Sequence, residues 1–285
     1  MMKTLGVVAP AFTARLMVHV TTRPGRQVQP RHDAFSTEGE WVTFRFGHQA
    51  LRWGTAGPVV VAMHGWQGHP DQFRFLGSRL ASQGYQFFAL NGPAHGADPN
   101  TQAHIGLFAD YLQDVFAELG PVHTVIGHSF GAGAALLALS EGLQADRVVA
   151  IAAPDGVQTI LENVATQVGL PAQARRTFMS LMERRVGYAV GNLQAKALLR
   201  NLTSPLLVVH DYGDRAVPFS DALEIHNAAA EAALFATAGL GHGGVLKSEV
   251  VGERIQAFIA HAETAAAEQC VSHYTVKSRL DPVIA

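Results

Sequence analysis

The sequence has little cysteine, little charge and no long apolar run. Its one cysteine, Cys270, excludes an intramolecular disulfide and is typical of a reducing, cytoplasmic compartment. Only 15% of the residues are charged, the net charge is −2 and no dense basic run is present, so nucleic-acid binding is not expected. No apolar run reaches about 18 residues, so no transmembrane segment is predicted. A hydrophobic content of 48% indicates a folded core, and a small molecule is the expected partner.

The sequence also lacks the motifs of a metal site, although it has 14 histidines. There is no H-E-x-x-H motif, no pair of histidines at positions i and i+4, and no cluster of cysteines. Such spacings place zinc ligands together on one helix or loop. We therefore expect no catalytic metal.

Short apolar segments alternate with helical patterns along most of the chain. Strands are predicted at residues 41–46, 49–53, 59–63, 86–90, 123–126, 147–152, 206–210 and 233–237. This alternation is typical of a parallel sheet with helices on both faces. The sequence thus predicts an α/β fold with a mostly parallel, eight-stranded, doubly wound sheet flanked by helices.

One domain, over about residues 31–263, would contain this sheet. Residues 1–30 are predicted to form an N-terminal arm on the outside of the fold, and residues 264–285 a C-terminal tail. A secretory leader is the alternative for the N-terminus, but Pro10 and Arg15 interrupt its apolar stretch.

Between about residues 155 and 203 the strand pattern stops and helical patterns replace it. Phe178 and Met182 lie on the apolar face of one predicted helix, and Thr159 begins a capping-box pattern for another. A helical insert above the strand ends would be a lid. Its arginines, such as Arg175, would be the solvated side of the helix or, alternatively, a contact for an acidic substrate.

Residues 127–131 read G-H-S-F-G and match the G-x-S-x-G pattern of a nucleophile elbow. The apolar strand at 123–126 precedes this motif and the helix-compatible segment at 132–139 follows it, which is the strand–turn–helix context that it needs. A side chain at either glycine would collide with the closely packed strand and helix. The pattern predicts a strained Ser129 whose hydroxyl lies clear of the sheet.

Other polar residues also follow predicted strands, namely His64, His95 and Asp155. Because ligands bind at the carboxyl ends of the strands in such sheets, we expect these residues and Ser129 to share one edge.

Four motifs together resemble the α/β-hydrolase superfamily: His64-Gly65-Trp66, the 127–131 elbow, Asp214 just before Val217-Pro218, and Gly241-His242. The resemblance covers about residues 40–262 and is closest to bacterial esterases and lysophospholipase-like serine hydrolases. One departure is Asn91, which stands where relatives usually have aspartate. That loop shapes the site without attacking substrate, so we expect the departure to leave catalysis intact.

The resemblance implies a Ser-His-Asp triad. Ser129 would be the nucleophile, and it needs a base because a serine hydroxyl is too weakly acidic to attack unaided. His242 would be that base, and Asp214 would orient it and stabilise its charged form. Asp211, in the same loop, is the alternative acid, but the spacing to the Val-Pro pair favours Asp214.

The resemblance also implies an oxyanion hole made by the backbone N–H groups of Phe130 and Trp66. His64 is expected to hold the Trp66 loop by hydrogen bonds, while His64, Trp66 and His128 would line the substrate pocket. No cofactor is needed for this chemistry.

The expected function is hydrolysis of a carboxylic ester with a small to medium acyl group through an acyl-enzyme. Thioester hydrolysis, acyl transfer and carbon–carbon bond hydrolysis use the same machinery and stay open as alternatives. A non-catalytic, ligand-binding hydrolase fold is a further alternative, although such proteins usually lose a triad member. We expect a monomer or a homodimer.

Overall fold

Eight strands form one continuous sheet in the computed structural model, which describes residues 6–25 and 39–260. The strands are β1 Glu40–Thr43, β2 Gln49–Trp53, β3 Val59–Met63, β4 Gln86–Leu90, β5 Val122–His128, β6 Ala145–Ile151, β7 Leu206–Asp211 and β8 Ala232–Thr237. Their order across the sheet is β1-β2-β4-β3-β5-β6-β7-β8. Strand β2 pairs antiparallel with β1 and β4, and all other pairs are parallel. The predicted mostly parallel, eight-stranded sheet is confirmed.

Helices cover both faces of this sheet. Besides a helical stretch at residues 6–8, the α-helices of the described residues are α1 Pro10–Thr21, α2 Arg74–Ser82, α3 Ile105–Leu119, α4 Phe130–Ser140, α5 Val157–Gln167, α6 Ala172–Val186, α7 Ala195–Leu198, α8 Phe219–Ala228, α9 Gly241–Gly244 and α10 Glu249–Ala260. In the part of the chain that the structure describes, none of them is long and apolar enough to cross a bilayer.

Alternate side chains of β3 show how the two faces form. Val61 and Met63 pack with α3 and α4 in one apolar cluster, whereas Val60 and Ala62 pack with α2 and α10 in another. Because both faces of a central parallel strand are buried, its sequence is apolar throughout and does not alternate.

A helical insert of α5, α6 and α7 separates β6 from β7. Helix α5 begins at Val157 with Gly156 at its N-cap, so the capping-box prediction at Thr159 is wrong by three residues. The extended backbone of Gly156 pairs with Gln194, and this bridge sets the start of the helix.

Part of the predicted N-terminal arm is helix α1, which packs on the insert. Ala14 and Met17 of α1 meet Ala174, Phe178 and Met182 of α6 in a third apolar cluster. The predicted C-terminal tail lies outside the described residues. This cluster attaches part of the N-terminal arm to the insert.

Candidate active site

Ser129 occupies the turn between β5 and α4. Its backbone has φ 54° and ψ −121°, a region that residues with a side chain rarely adopt and that costs about 1–3 kcal/mol. The Ser129 N–H donates to the carbonyl of Ile151 at 2.8 Å, which ties the turn to β6. This anchored turn presents the half-buried serine at the carboxyl edge of the sheet.

The glycines around Ser129 have no room for a side chain. A Cβ on Gly127 would lie 2.2 Å from the Cα of Ala132, and a Cβ on Gly131 would lie 2.4 Å from the carbonyl oxygens of Met63 and His64. Both collisions are with backbone atoms, which cannot move aside easily. The strand and helix are pressed together as the sequence analysis expected.

His242 and Asp214 form a close pair. The His242 Nδ1 and the Asp214 Oδ2 are 2.7 Å apart, and the aspartate side chain is fully buried. The other carboxylate oxygen of Asp214 accepts the N–H groups of Ala216 at 2.8 Å and Val217 at 3.0 Å. These two bonds fix the carboxylate and leave Oδ2 for the imidazole.

Asp211 has different partners. Its Oδ2 accepts from the Thr237 hydroxyl at 2.8 Å and the Leu240 N–H at 3.0 Å, and its Oδ1 accepts from the Gly213 N–H at 2.8 Å. Burial raises the pKa of Asp211, but these hydrogen bonds outweigh it and leave the pKa below its usual value. Asp211 therefore anchors the loop that leads to His242.

His128 connects the elbow with the His242 loop. Its buried ring donates from Nε2 to the carbonyl of His242 at 2.9 Å, and the two rings lie 4.9 Å apart. Burial lowers the pKa of His128 to about 4, so the ring is neutral near pH 7. Within the described residues the Ser129 hydroxyl makes no hydrogen bond; such bonds often tighten only when substrate binds.

Phe130 and Trp66 face each other beside Ser129. Their rings lie 5.4 Å apart, and a Cβ on Gly65 would lie 2.9 Å from the Cβ of Ser129. Phe130 is the first residue of α4, so its N–H has no partner inside the helix. Neither this N–H nor that of Trp66 has a hydrogen-bond partner in residues 6–25 and 39–260.

His64 lies behind the Trp66 loop and is completely buried. Its Nδ1 donates to the Gly65 carbonyl at 2.8 Å, and its Nε2 accepts the Gly92 N–H at 2.9 Å. Burial, with a further contribution from His95, lowers the pKa of His64 to about 3. A ring that is buried and bonded at both nitrogens holds the loop and does not exchange protons with a ligand.

Asn91 is suited to its position. Its side-chain amide donates to the carbonyl of His95 at 2.8 Å inside the loop that follows β4. A carboxylate cannot donate this bond and would face the carbonyl oxygen instead. The amide nitrogen that the departure from aspartate introduces is therefore bonded to the local backbone.

His210, the penultimate residue of β7, was not among the site residues predicted from the sequence. Its Nε2 is 3.0 Å from the Val217 carbonyl and 3.5 Å from the Asp214 Oδ2, so two histidines approach one carboxylate oxygen. The signal was its position four residues before Asp214 at the end of a buried strand.

A pocket of about 230 Å³, including the space that opens to solvent, lies between helices α3 and α4 on one side and the insert on the other. Its lining residues are uncharged and largely apolar: Ile105, Phe130, Gly133, Pro154, Gly156, Val157, Ile160 and Leu193. Phe130 joins this pocket to the elbow. In the described ranges, no group of three or more metal-ligating side chains is placed to hold an ion.

The sequence also matches known proteins. A serine hydrolase-like protein of Dictyostelium discoideum is 28% identical over 40% of this chain, but the match spans only 35% of that protein. A monoacylglycerol lipase of Mycolicibacterium smegmatis is 24% identical over 56% of this chain and 71% of its own length. Among solved structures, an esterase from Exiguobacterium antarcticum superposes with a TM-score of 0.59 at 18% identity, covering 78% of this chain and 100% of that one.

The chain also matches a protein family. The sequence pattern of the alpha/beta hydrolase family fits residues 59–254, from β3 through the first half of α10. This range includes the elbow and the His242–Asp214 pair. The chain therefore belongs to the alpha/beta hydrolase family.

Proposed function

We propose that the protein is a serine hydrolase that cleaves carboxylic esters with a small to medium acyl group. The observation that carries this proposal is the hydrogen bond of 2.7 Å between His242 and the buried Asp214. The backbone carbonyl of His242 is in turn bonded by His128, the residue before Ser129. Nucleophile, base and orienting acid are the parts that acyl transfer needs.

The base follows from the hydrogen-bond partners. A carboxylate only accepts hydrogen bonds, so the proton between His242 and Asp214 belongs to Nδ1, and in the neutral imidazole the lone pair is on Nε2. Nε2 takes the proton of the Ser129 hydroxyl as its oxygen attacks the carbonyl carbon, and returns it to the leaving alcohol. Water then attacks the acyl carbon and loses a proton to Nε2. The bond from the acyl carbon to the Ser129 oxygen breaks, Nε2 returns the proton to that oxygen, and the carboxylic acid leaves.

The tetrahedral intermediate would be stabilised by the N–H groups of Phe130 and Trp66. The Phe130 N–H is an unused donor at the N-terminus of α4. The Trp66 N–H lies in a loop that passes close to Ser129 because Gly65 has no side chain. Loss of one such donor in other hydrolases lowers kcat by about 10²- to 10³-fold.

The acyl group would occupy the pocket beside Phe130. The pocket is small and its lining is apolar, which supports a small to medium acyl chain. Its uncharged lining disfavours the dienoic acids of carbon–carbon bond hydrolases. The names of the M. smegmatis lipase and the E. antarcticum esterase are those of ester hydrolases, which agrees with this choice.

The insert would act as the lid of this pocket. Val157, Ile160 and Leu193 contribute its outer wall, while Ile105 and Phe130 contribute the inner wall. Opening of the insert would admit the ester, and its closure would exclude water from the acyl group.

Intact-mass labelling with a fluorophosphonate tests the proposal. We expect one adduct on the wild-type protein, none on Ser129→Ala, and one on the control Ser140→Ala, whose hydroxyl bonds the carbonyl of Leu137 inside α4. An adduct that persists on Ser129→Ala, or no adduct on folded wild type, would contradict the proposal. A panel of p-nitrophenyl acetate, butyrate and octanoate with matching thioesters then identifies the substrate class.

A further inference from the structure

Two buried histidines join the loop after β3 to the loop after β4. His64, in the first loop, accepts the N–H of Gly92 in the second at 2.9 Å. His95, in the second loop, accepts the N–H of Gln67 in the first, also at 2.9 Å. Each histidine therefore holds a backbone N–H of the loop to which the other histidine belongs.

The other nitrogen of each ring sets its tautomer. The Nδ1 of His64 bonds the Gly65 carbonyl and the Nδ1 of His95 bonds the Pro93 carbonyl, both at 2.8 Å. Carbonyls only accept, so both rings carry their proton on Nδ1 and offer the Nε2 lone pair to the opposite loop. Both bonds to the opposite loop require neutral rings, and burial is the main cause that lowers the pKa of each.

The two loops approach closely enough because glycines stand at the contact. A Cβ on Gly92 would lie 2.7 Å from the Phe108 ring and 3.1 Å from His64, and a Cβ on Gly68 would lie 2.8 Å from the His64 Nδ1. The His64 and His95 rings are 4.9 Å apart, and Phe108 packs edge-on against both. The arrangement is thus built from both loops together.

The Trp66 N–H lies between these two attachments. It shares one planar peptide unit with the Gly65 carbonyl, so the bond from His64 to that carbonyl also sets the direction of the Trp66 N–H. The next peptide unit carries the Gln67 N–H that His95 accepts. Gln67 itself has φ 56°, a conformation that needs such support.

We propose that His64 and His95 form a reciprocal clasp, defined by these two residues with Gly92 and Gln67, that positions the Trp66 N–H for the oxyanion. Both are positioning residues, since neither touches the reacting atoms. The positioning role rests on the proposed function, whereas the clasp itself does not. Loss of either Nε2 acceptor frees both loops, because each loop is held by the other.

Amide hydrogen exchange tests the clasp independently of activity. His95→Asn keeps a donor for the Pro93 carbonyl but removes the Nε2 acceptor, and His95→Gln places an oxygen near the Nε2 position. We expect His95→Asn to speed exchange at Gln67 and also at Gly92 by tenfold or more, and His95→Gln to restore most of the protection. Faster exchange at Gln67 alone would overturn the reciprocity.

A second test of the clasp uses the wild-type protein alone, so it does not depend on whether a variant folds. The imidazole ¹⁵N spectrum should show Nδ1 protonated and Nε2 unprotonated in both His64 and His95 at neutral pH. A protonated Nε2 on either ring would overturn the clasp.

Kinetics with p-nitrophenyl butyrate test the positioning role. We expect kcat to fall by about 10- to 100-fold in His95→Asn, which is less than the loss caused by removing a whole oxyanion donor. KM should stay within about threefold of the wild-type value, and kcat should recover in His95→Gln. The control is His104→Asn, since His104 also accepts a backbone N–H, that of Leu107 at the start of α3. An unchanged kcat in an active enzyme with faster exchange would overturn the positioning role alone, and inactive wild type would instead contradict the proposed function.

Discussion

At the scale of single residues, Asp211 at the end of β7 and Asp214 in the loop that follows have different hydrogen-bond partners. Asp214 bonds His242, whereas Asp211 bonds Thr237 and Leu240. We expect Asp214→Asn to lower kcat by about 10³- to 10⁴-fold, because the amide stabilises the wrong imidazole tautomer. We expect Asp211→Asn to lower kcat by less than about tenfold. Comparable losses in the two variants, measured with p-nitrophenyl butyrate, would refute this assignment of the acid.

Asp211→Asn should instead lower the free energy of unfolding. Its charged oxygens accept several buried hydrogen bonds, each worth about 1.5–3 kcal/mol, and an amide nitrogen cannot accept them. Urea unfolding of the two variants measures this difference.

Buried histidines predict how stability depends on pH. The pKa of His64 is lowered to about 3 and that of His128 to about 4, against 6.5 for an ordinary histidine. As the pH falls below 6.5 the unfolded chain binds protons that the folded chain does not, so the free energy of unfolding falls. Between pH 7 and pH 5 the two rings should together contribute a loss of about 4 kcal/mol.

Urea unfolding at pH 7, 6 and 5 checks this sign and size. His64→Gln removes one of the two groups, so about half of this loss should disappear in that variant. A pH dependence that is the same in wild type and His64→Gln would show that His64 is not buried in its neutral form.

At the scale of elements, α4 rests directly on the end of β3. The Cβ in Gly131→Ala would lie 2.4 Å from backbone oxygens of Met63 and His64, whereas that in Gly133→Ala would lie 3.4 Å from the Ile105 side chain. We expect Gly131→Ala to lower the unfolding free energy by about 2 kcal/mol or more. Gly133→Ala, in the same helix, should raise it by about 0.5–1 kcal/mol.

Thermal unfolding of both glycine variants provides the comparison. If Gly131→Ala were as stable as wild type, the close contact between α4 and β3 would be wrong.

The packing of α1 on the insert gives a second element-scale prediction. Phe178 of α6 is fully buried in the apolar cluster that α6 forms with α1. Phe12, on the outer face of α1, is 59% exposed. We expect Phe178→Ala to cost about 3–5 kcal/mol and to expose residues 10–21 to hydrogen exchange. Phe12→Ala should change stability by less than about 0.5 kcal/mol. If the amides of residues 10–21 stayed protected from hydrogen exchange in Phe178→Ala, this packing would be wrong.

At the scale of the whole molecule, the pocket has one wall from the insert and another from helices α3 and α4. Leu193 and Ile160 of the insert region face Phe130 and Ile105 across it. We expect Leu193→Ala to raise the ratio of kcat/KM for p-nitrophenyl octanoate over butyrate by about tenfold, since the shorter side chain makes room for a longer acyl chain. The control Leu161→Ala lies in the apolar cluster of α1 and α6, outside the pocket lining, and should leave the ratio unchanged. Equal ratios in wild type and Leu193→Ala would place the acyl chain elsewhere.

Much of the fold could be predicted because its signals are local. Apolar runs marked the parallel strands, and glycine and proline marked their ends; strand β4 at Gln86–Leu90 was predicted to the residue. Helix α1 was missed because its apolar side chains face α6, which is remote in the sequence. The start of α5 was misplaced because a long-range bridge from Gly156 to Gln194 determines it.

The sequence by itself determined the elbow, the order of Ser129, Asp214 and His242, and the sheet that carries them, since each depends on spacing and on short-range sterics. Only the tertiary structure decided which buried histidine meets which partner. His128 bonds a carbonyl 114 residues away, and His64 and His95 each accept an N–H 28 residues away. Such contacts depend on how loops from different strands meet at one edge of the sheet, and no periodicity along the chain encodes that meeting.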